Sequence, residues 1–588
     1  MADAHAVGST TARIAAAPPF ESRPAAASKL PLLASAERRL ANGRLVDWLV
    51  VLLIAAYIVA MLSGLTHWPP PINDEGREAN LFWIASGADP AAERMNAHRG
   101  FPTWGNGGLQ GFTAAVIFRL AGLGVFQARL TSLLWGGLLL LVVYWLGRRY
   151  WNRAVGLAAV AMLAVADPFL VSTHTLRPDI QVVTMVLGAL LLAEKAVDRA
   201  GAPARADVAQ HASSLPRLLV GSVTFAFASG LLLGLVVDTH PNGLAFFPLV
   251  GLMFLLRQGI GCFRRPEVWV FALGIVAAAL YYLAVRFLPD PAGFMAAMGY
   301  WLGVDKAPPV ARGGGAGGLF GLLGNEVGRY VDYFGEEPLE LALVLLGLGG
   351  GLWMAVRGSY PARLFWLGLL FAFAFFVVAV SMKSKYYMLL TYPIYLLLAA
   401  RVLERAAAWV GERLGPWLDG RVARTPPPES PPAFGGLHGG TLVAGGVLAA
   451  LVIGAMLWPL RAEERAWDNY IRARRYREGQ DLTRLTAQLD RLAGPDAKIL
   501  APPVYWLGLH DHPFVDIYVY ERLERQYGMT PAQFLAETRP DFVITDAKIA
   551  TEKRVEKLLY TELDARAERQ MIVRHKNFGD VAVYRLTW

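Results

Sequence analysis

The sequence predicts a polytopic α-helical membrane protein of about eleven transmembrane helices, N-terminus inside and C-terminus outside, with a small C-terminal α/β extracytoplasmic domain. Three observations predict it. The 588 residues are 55% hydrophobic and only 18% charged, with a mean hydropathy of +0.37, and apolar runs recur along the chain. Arginines collect at alternate ends of those runs, as membrane orientation requires. Beyond residue 461 the pattern turns to short strand-like and helix-like segments. Runs this numerous are helices, because a backbone in lipid must satisfy its own hydrogen bonds.

Residues 1–45 are Ala/Pro-rich and lack apolar periodicity, which reads as a disordered cytoplasmic tail. No cleavable signal peptide is expected, since the first apolar run starts near Asp47 and lacks a small-residue cleavage site. The transmembrane domain is assigned to 46–460, with outer loops at 66–108 and 289–337, and the extracytoplasmic domain to 461–588. Spans are expected near 47–65, 129–147, 154–171, 180–196, 217–237, 243–257, 267–288, 338–356, 364–381, 386–401 and 438–459. The segment 109–124, interrupted by Arg119, is placed in the interface or as a re-entrant piece. Counting it as a span would put Arg148, Arg149 and Arg153 outside. The loop 289–337 contains the glycine-rich run 311–318, too permissive to hold one conformation unaided.

In the last domain KILAPP, HPFVDIYV, DFVITD and DVAVYRL read as strands, and PAQFLAETR and EKRVEKLLYTELDARAER as helices. The single cysteine, Cys262, excludes an intrachain disulfide and any Cys-based zinc site. The net charge of +9 is mostly arginine flanking the spans, so no nucleic-acid partner is expected.

Four polar clusters fall on the outer face at span ends: PINDEGREAN (71–80), STHTLRPD (172–179), DTHPNG (238–243) and KSKYY (383–387). A transporter or flippase would instead place ionisable groups near the bilayer centre. Transfer of a sugar from a polyprenyl-phosphate carrier needs a carboxylate as general base for an acceptor hydroxyl. It also needs cations against the leaving phosphate. Asp74 and Glu75 are the candidate catalytic carboxylates, and Arg77, Arg177, Lys383 and Lys385 the candidate phosphate-binding cations. Lysine is otherwise scarce: between 196 and 497 it occurs only at 306, 383 and 385.

The Asp-Glu pair with Arg three residues after the Asp, the later Arg-Pro-Asp turn and the Lys-x-Lys-Tyr-Tyr turn resemble bacterial membrane glycosyltransferases of the C fold type. The pattern is most similar to the protein O-mannosyltransferases and the lipid A aminoarabinose transferases, over roughly residues 45–400, with FRLAGLGVFQARL (118–130) resembling the family's second-span entry. The resemblance implies that Asp74 is the catalytic carboxylate and Glu75 the second acid of the pair. It also implies that Arg77 holds the donor phosphate and that Lys383 or Lys385 sits in a basic phosphate turn.

Several residues carry a second reading. Arg177 and Asp179 can pair and cap the helix after Pro178, and His174 can be a satisfied interfacial histidine. Turn chemistry alone accounts for Asp238, His240 and Asn242. His174, Asp238, His240 and Asn242, with Asp179, Tyr386 and Tyr387, are the weaker substrate-binding candidates. Glu78 reads as a helix surface charge, and HDHP (510–513) as a strand-entry turn without a third metal ligand. No cofactor is expected and a divalent metal is left open. The partners are a polyprenyl-phosphate sugar, a glycan, lipid or protein acceptor, and membrane lipids. The expected location is the bacterial cytoplasmic membrane with the site on its periplasmic or extracellular face. Three alternatives stand beside this reading: a transporter or flippase, an oligosaccharyltransferase or ligase using a polyprenyl-diphosphate donor, and a non-catalytic assembly protein that works through residues 461–588.

Overall fold

The computed structural model describes residues 43–86, 108–201, 214–289, 291–292, 294–295, 316–335, 337–380, 385–422, 439–457, 482–551, 562–575 and 577–588. The tail 1–42, the proline-rich segment TPPPESPP (425–432), most of the glycine-rich run and Lys383 lie outside the described residues.

The helices of the apolar part are α1 (Gly43–Leu62), α2 (Asn73–Ala85), α3 (Gly108–Ala121), α4 (Val125–Tyr150), α5 (Arg153–Val165), α6 (Asp167–Thr173), α7 (Asp179–Gly201), α8 (Ser214–Thr239), α9 (Phe247–Gln258), α10 (Pro266–Tyr282), α11 (Ala316–Phe334), α12 (Pro338–Val356), α13 (Tyr360–Ala379), α14 (Tyr392–Val422) and α15 (Gly439–Leu457). Among the described residues, seven helical stretches are long and apolar enough to cross a membrane, and an eighth is formed if α5 and α6, bent by 67°, count as one broken span. Shorter apolar helices lie at Val50–Leu62, Gly111–Ala121 and Val443–Ala455. The chain is a multi-pass membrane protein. Trp269, Leu273, Val276 and Leu280 of α10 are exposed at three- and four-residue spacing, the stripe a lipid-facing helix presents.

By compactness the chain divides into a large unit, 48–406 with 448–588, and a small one, 1–47 with 407–447. In the small unit, Gly411 sits where an added Cβ would come within 2.4 Å of the Gly440 carbonyl, so only glycine allows that approach.

In the large unit the main core is built from α4, α5, α7–α9 and α12–α14. The α8–α10 pair is closed by reciprocal glycines. A Cβ on Gly230 would lie 1.9 Å from the Phe271 carbonyl, and one on Gly274 would lie 2.4 Å from that of Phe227. At one end of α7, buried Glu194 accepts from Arg149 Nη2 (3.0 Å) and Tyr150 (3.0 Å) of α4, Arg257 Nη1 (2.5 Å) of α9 and Tyr360 (2.6 Å) of α13. The arginines that the charge pattern assigns to one side thus meet at one end of the bundle. Asp179 begins the opposite end of the same helix, about 22 Å away at 1.5 Å per residue.

A second core joins α2 and α3 to the C-terminal residues. Ala79, Leu81 and Phe82 of α2, with Ala114 and Phe118 of α3, share it with Tyr505, Trp506 and Ile499. The C-terminal residues form a five-stranded sheet in the order β2-β1-β3-β5-β4, with β1 (Ile499–Ala501), β2 (Phe514–Asp516), β3 (Phe542–Thr545), β4 (Ala567–His575) and β5 (Gly579–Leu586). β1 runs parallel to β2 and β3, while β5 runs antiparallel to β3 and β4. The four strand segments read from the sequence are strands.

Three readings need correction. Of the helix expected over 552–569, residues 552–561 lie outside the described residues, and from Ala567 the chain is strand β4, because RQMIVRH offers β5 an apolar partner strand. The loop expected over 289–337 contains the amphipathic helix α11, whose Glu326 and Arg329 pair inside the bundle. The span expected over 386–401 starts at Tyr392, since Lys385–Leu390 is a 3-10 turn.

Candidate active site

Asp74 and Glu75 enter α2 through Ile72, whose extended backbone ends the preceding loop. Their surroundings differ sharply. The Glu75 side chain is 1% exposed and makes four hydrogen bonds. Arg129 forks onto it from Nε (2.8 Å) and Nη2 (2.8 Å), and the backbone N–H groups of Leu176 (2.9 Å) and Ile72 (3.0 Å) donate to the same carboxylate. Arg129 itself is 0% exposed and spends Nη1 on the Leu65 carbonyl (2.7 Å). Glu75, a candidate catalytic carboxylate in the sequence, pins α2 to α4 and to the turn before α7.

Asp74 points the other way, with half of its side chain exposed, and takes one bond of 2.6 Å from Arg177 Nη1. The buried Arg177 guanidinium also donates from Nε to Asp179 Oδ2 (2.8 Å) and lies over the Tyr386 ring at 4.3 Å. Burial alone would lower its pKa, but Asp179 and Asp74 raise it further. Tyr387, next to Tyr386, meets the His240 ring edge-on at 5.7 Å. His240 accepts from the Asn242 N–H (3.1 Å), and burial lowers its pKa to about 4. Asp74, Arg177, Asp179, Tyr386, Tyr387, His240 and Asn242 therefore connect all four turns singled out in the sequence. Lys385 opens the 3-10 turn that carries the two tyrosines.

Three candidates stand apart from that chain of contacts. His174 is fully buried, its Nδ1 2.9 Å from the Leu170 carbonyl and its ring edge-on to Trp68. Burial lowers its pKa to about 4 and it packs as a neutral histidine. Asp238 is closed by Arg286, with bonds of 2.8 and 3.3 Å. Arg77, expected at the donor phosphate, donates from Nε to Asp516 Oδ2 (3.0 Å) and lies 5.2 Å from the centre of the Tyr518 ring.

The sequence reading missed Arg129, Arg286, Asp516, Tyr518 and Glu78. For the two arginines a signal existed, because a guanidinium within or at the end of an apolar run is costly unless a buried acid pairs with it. Half-buried Glu78 sits one turn after Asp74, and removal from water, then the nearby Asp74, raises its pKa to about 8. The native state therefore holds its proton more tightly than the unfolded chain. The resulting stabilisation is complete below about pH 4.5 and is lost as pH rises through 8. Thermal stability in lipid nanodiscs should decline across that interval in the wild type and stay flatter in Glu78→Gln. Equal declines in both proteins would remove Glu78 as the cause.

Among the described residues no group of three or more His, Cys, Asp or Glu side chains could hold a metal ion. What the cluster offers is an accessible carboxylate fixed by a buried guanidinium, beside two tyrosine rings, at one end of an apolar bundle.

A family model for dolichyl-phosphate-mannose-protein mannosyltransferases matches residues 109–203. The fold is similar to the crystal structure of ArnT from Cupriavidus metallidurans bound to undecaprenyl phosphate. The TM-score is 0.56 at 16% identity, covering 91% of this chain and 97% of that one. The apo state of the same protein gives 0.56 at 15% identity with the same coverage. No curated protein matches the chain.

Proposed function

From the fold of the C-type membrane glycosyltransferases, we propose that this protein transfers a sugar from a polyprenyl-phosphate donor to an acceptor hydroxyl at the outer face of a bacterial cytoplasmic membrane. The observation that carries the proposal is the junction of four turns at Asp74, an exposed carboxylate held by a buried arginine. The undecaprenyl phosphate bound to the similar ArnT supports a lipid monophosphate as the leaving group.

Asp74 accepts the proton of the acceptor hydroxyl as that oxygen attacks the anomeric carbon. The bond from that carbon to the phosphate oxygen breaks, and the electron pair leaves with the polyprenyl phosphate. A single displacement inverts the anomeric centre. Arg177, anchored by Asp179, aims the Asp74 carboxylate. Its remaining positive field, with that of Lys385 or Lys383, opposes the charge growing on the leaving phosphate. Glu75 takes no part in the proton transfer, since its lone pairs are already engaged.

The test uses purified protein in lipid nanodiscs with radiolabelled polyprenyl-phosphate sugars and acceptor-containing membrane extract. Release of polyprenyl phosphate is expected for at least one donor. Turnover of a polyprenyl diphosphate instead would favour the ligase reading, and no release from either class would move the transporter reading forward.

A further inference from the structure

The first turns of α2 present two faces. Asp74 and Glu78, four residues apart, face Arg177 and the junction of turns. Asn73, Gly76 and Arg77, three and four residues apart, face the C-terminal residues. Asn73 Nδ2 donates to the Tyr518 hydroxyl at 2.9 Å, and Arg77 Nε donates to Asp516 Oδ2 at 3.0 Å. Gly76 lies so close to the start of the 3-10 turn Pro503–Tyr505 that an added Cβ would stand 1.9 Å from the Pro503 carbonyl oxygen.

The receiving side is itself fixed. Asp516 ends β2, is 1% exposed, and its other oxygen accepts the Tyr518 N–H at 2.9 Å. Pro503 follows β1, the strand paired with β2. The ends of two neighbouring strands therefore grip one face of a helix whose other face carries the proposed base.

We propose that Asp516 and Tyr518, with the Pro503 carbonyl, are positioning groups that set the place of Asp74 through Arg77, Asn73 and Gly76. The C-terminal sheet is then part of the catalytic apparatus, not an appended module. It acts on the reacting atoms only through α2. This inference rests on the reading of Asp74 as the base. Misplacing a base by about 1 Å is enough to reduce turnover as much as a hundredfold.

The experiment has two arms on full-length protein in nanodiscs: hydrogen exchange over residues 73–85, and polyprenyl-phosphate release. The variants are Asp516→Asn, Tyr518→Phe, Arg77→Gln and the double variant Asp516→Asn/Arg77→Gln. Exchange in α2 is expected to rise about fivefold or more in each. Exchange in 499–501 and 542–545 stays unchanged. Turnover is expected to drop about tenfold or more at nearly constant donor KM, with the double variant no worse than the worse single one. Unchanged α2 exchange and turnover in the Asp516 and Tyr518 variants would overturn the proposal. So would loss of protection spread equally over the strands, which would mark a folding defect. If the wild type releases no polyprenyl phosphate from any donor, the catalytic reading fails by itself, and the positioning of Asp74 for catalysis falls with it. The exchange arm then still decides whether the grip exists.

Discussion

Asp74→Asn is expected to lower kcat by about a thousandfold, within the range that a positioned general base contributes, while membrane insertion and thermal stability stay near wild type. The amide oxygen can still accept from Arg177, so the local bonding survives the change. What disappears is the capacity to take a proton. Half of the Asp74 side chain faces solvent, so its replacement leaves no buried group unpaired. Donor KM should move little, because the carboxylate acts on the acceptor. Steady-state release of polyprenyl phosphate, with Tm measured on the same samples, checks both halves. Retention of most turnover would mean that the base lies elsewhere in the cluster, with Asp179 the next carboxylate to replace.

Arg129→Ala should do the opposite, removing the folded protein instead of a chemical step. It strands the Glu75 carboxylate in a site with 1% exposure, a change that typically costs about 3–5 kcal/mol. Glu75→Gln is expected to fail in the same way, since a neutral amide cannot match the guanidinium fork and both backbone donors together. The paired change Glu75→Gln/Arg129→Met should recover part of the loss, because it leaves no uncompensated charge behind. Yield of folded protein and Tm in nanodiscs are the readouts. If Glu75→Gln kept its Tm and lost turnover, Glu75 would return as a catalytic acid.

These two neighbours show what was legible and what was not. The four turns could be read because each packs several polar residues against the end of an apolar run, where composition changes abruptly. Their meeting is carried by short contacts from Arg177 to Asp74 and Tyr386, and from Tyr387 to His240. No local feature separates Asp74 from Glu75. One faces solvent and the other faces Arg129, which lies 54 positions away. The grip on α2 was less visible still, as Asp516 is 439 positions from Arg77 and sits in an ordinary strand-end sequence. The helix α11 was hidden by the glycines before it. β4 was hidden by the charged residues leading into it, whose helical look is overridden by pairing with β5.

Glu194 has a consequence for movement. Four donors from α4, α9 and α13 close on that one carboxylate at the far end of α7 from Asp179, as a rivet holds the ribs of a fan. That end of the bundle therefore moves as one piece, since α4, α9 and α13 can part from α7 there only by stranding a buried carboxylate.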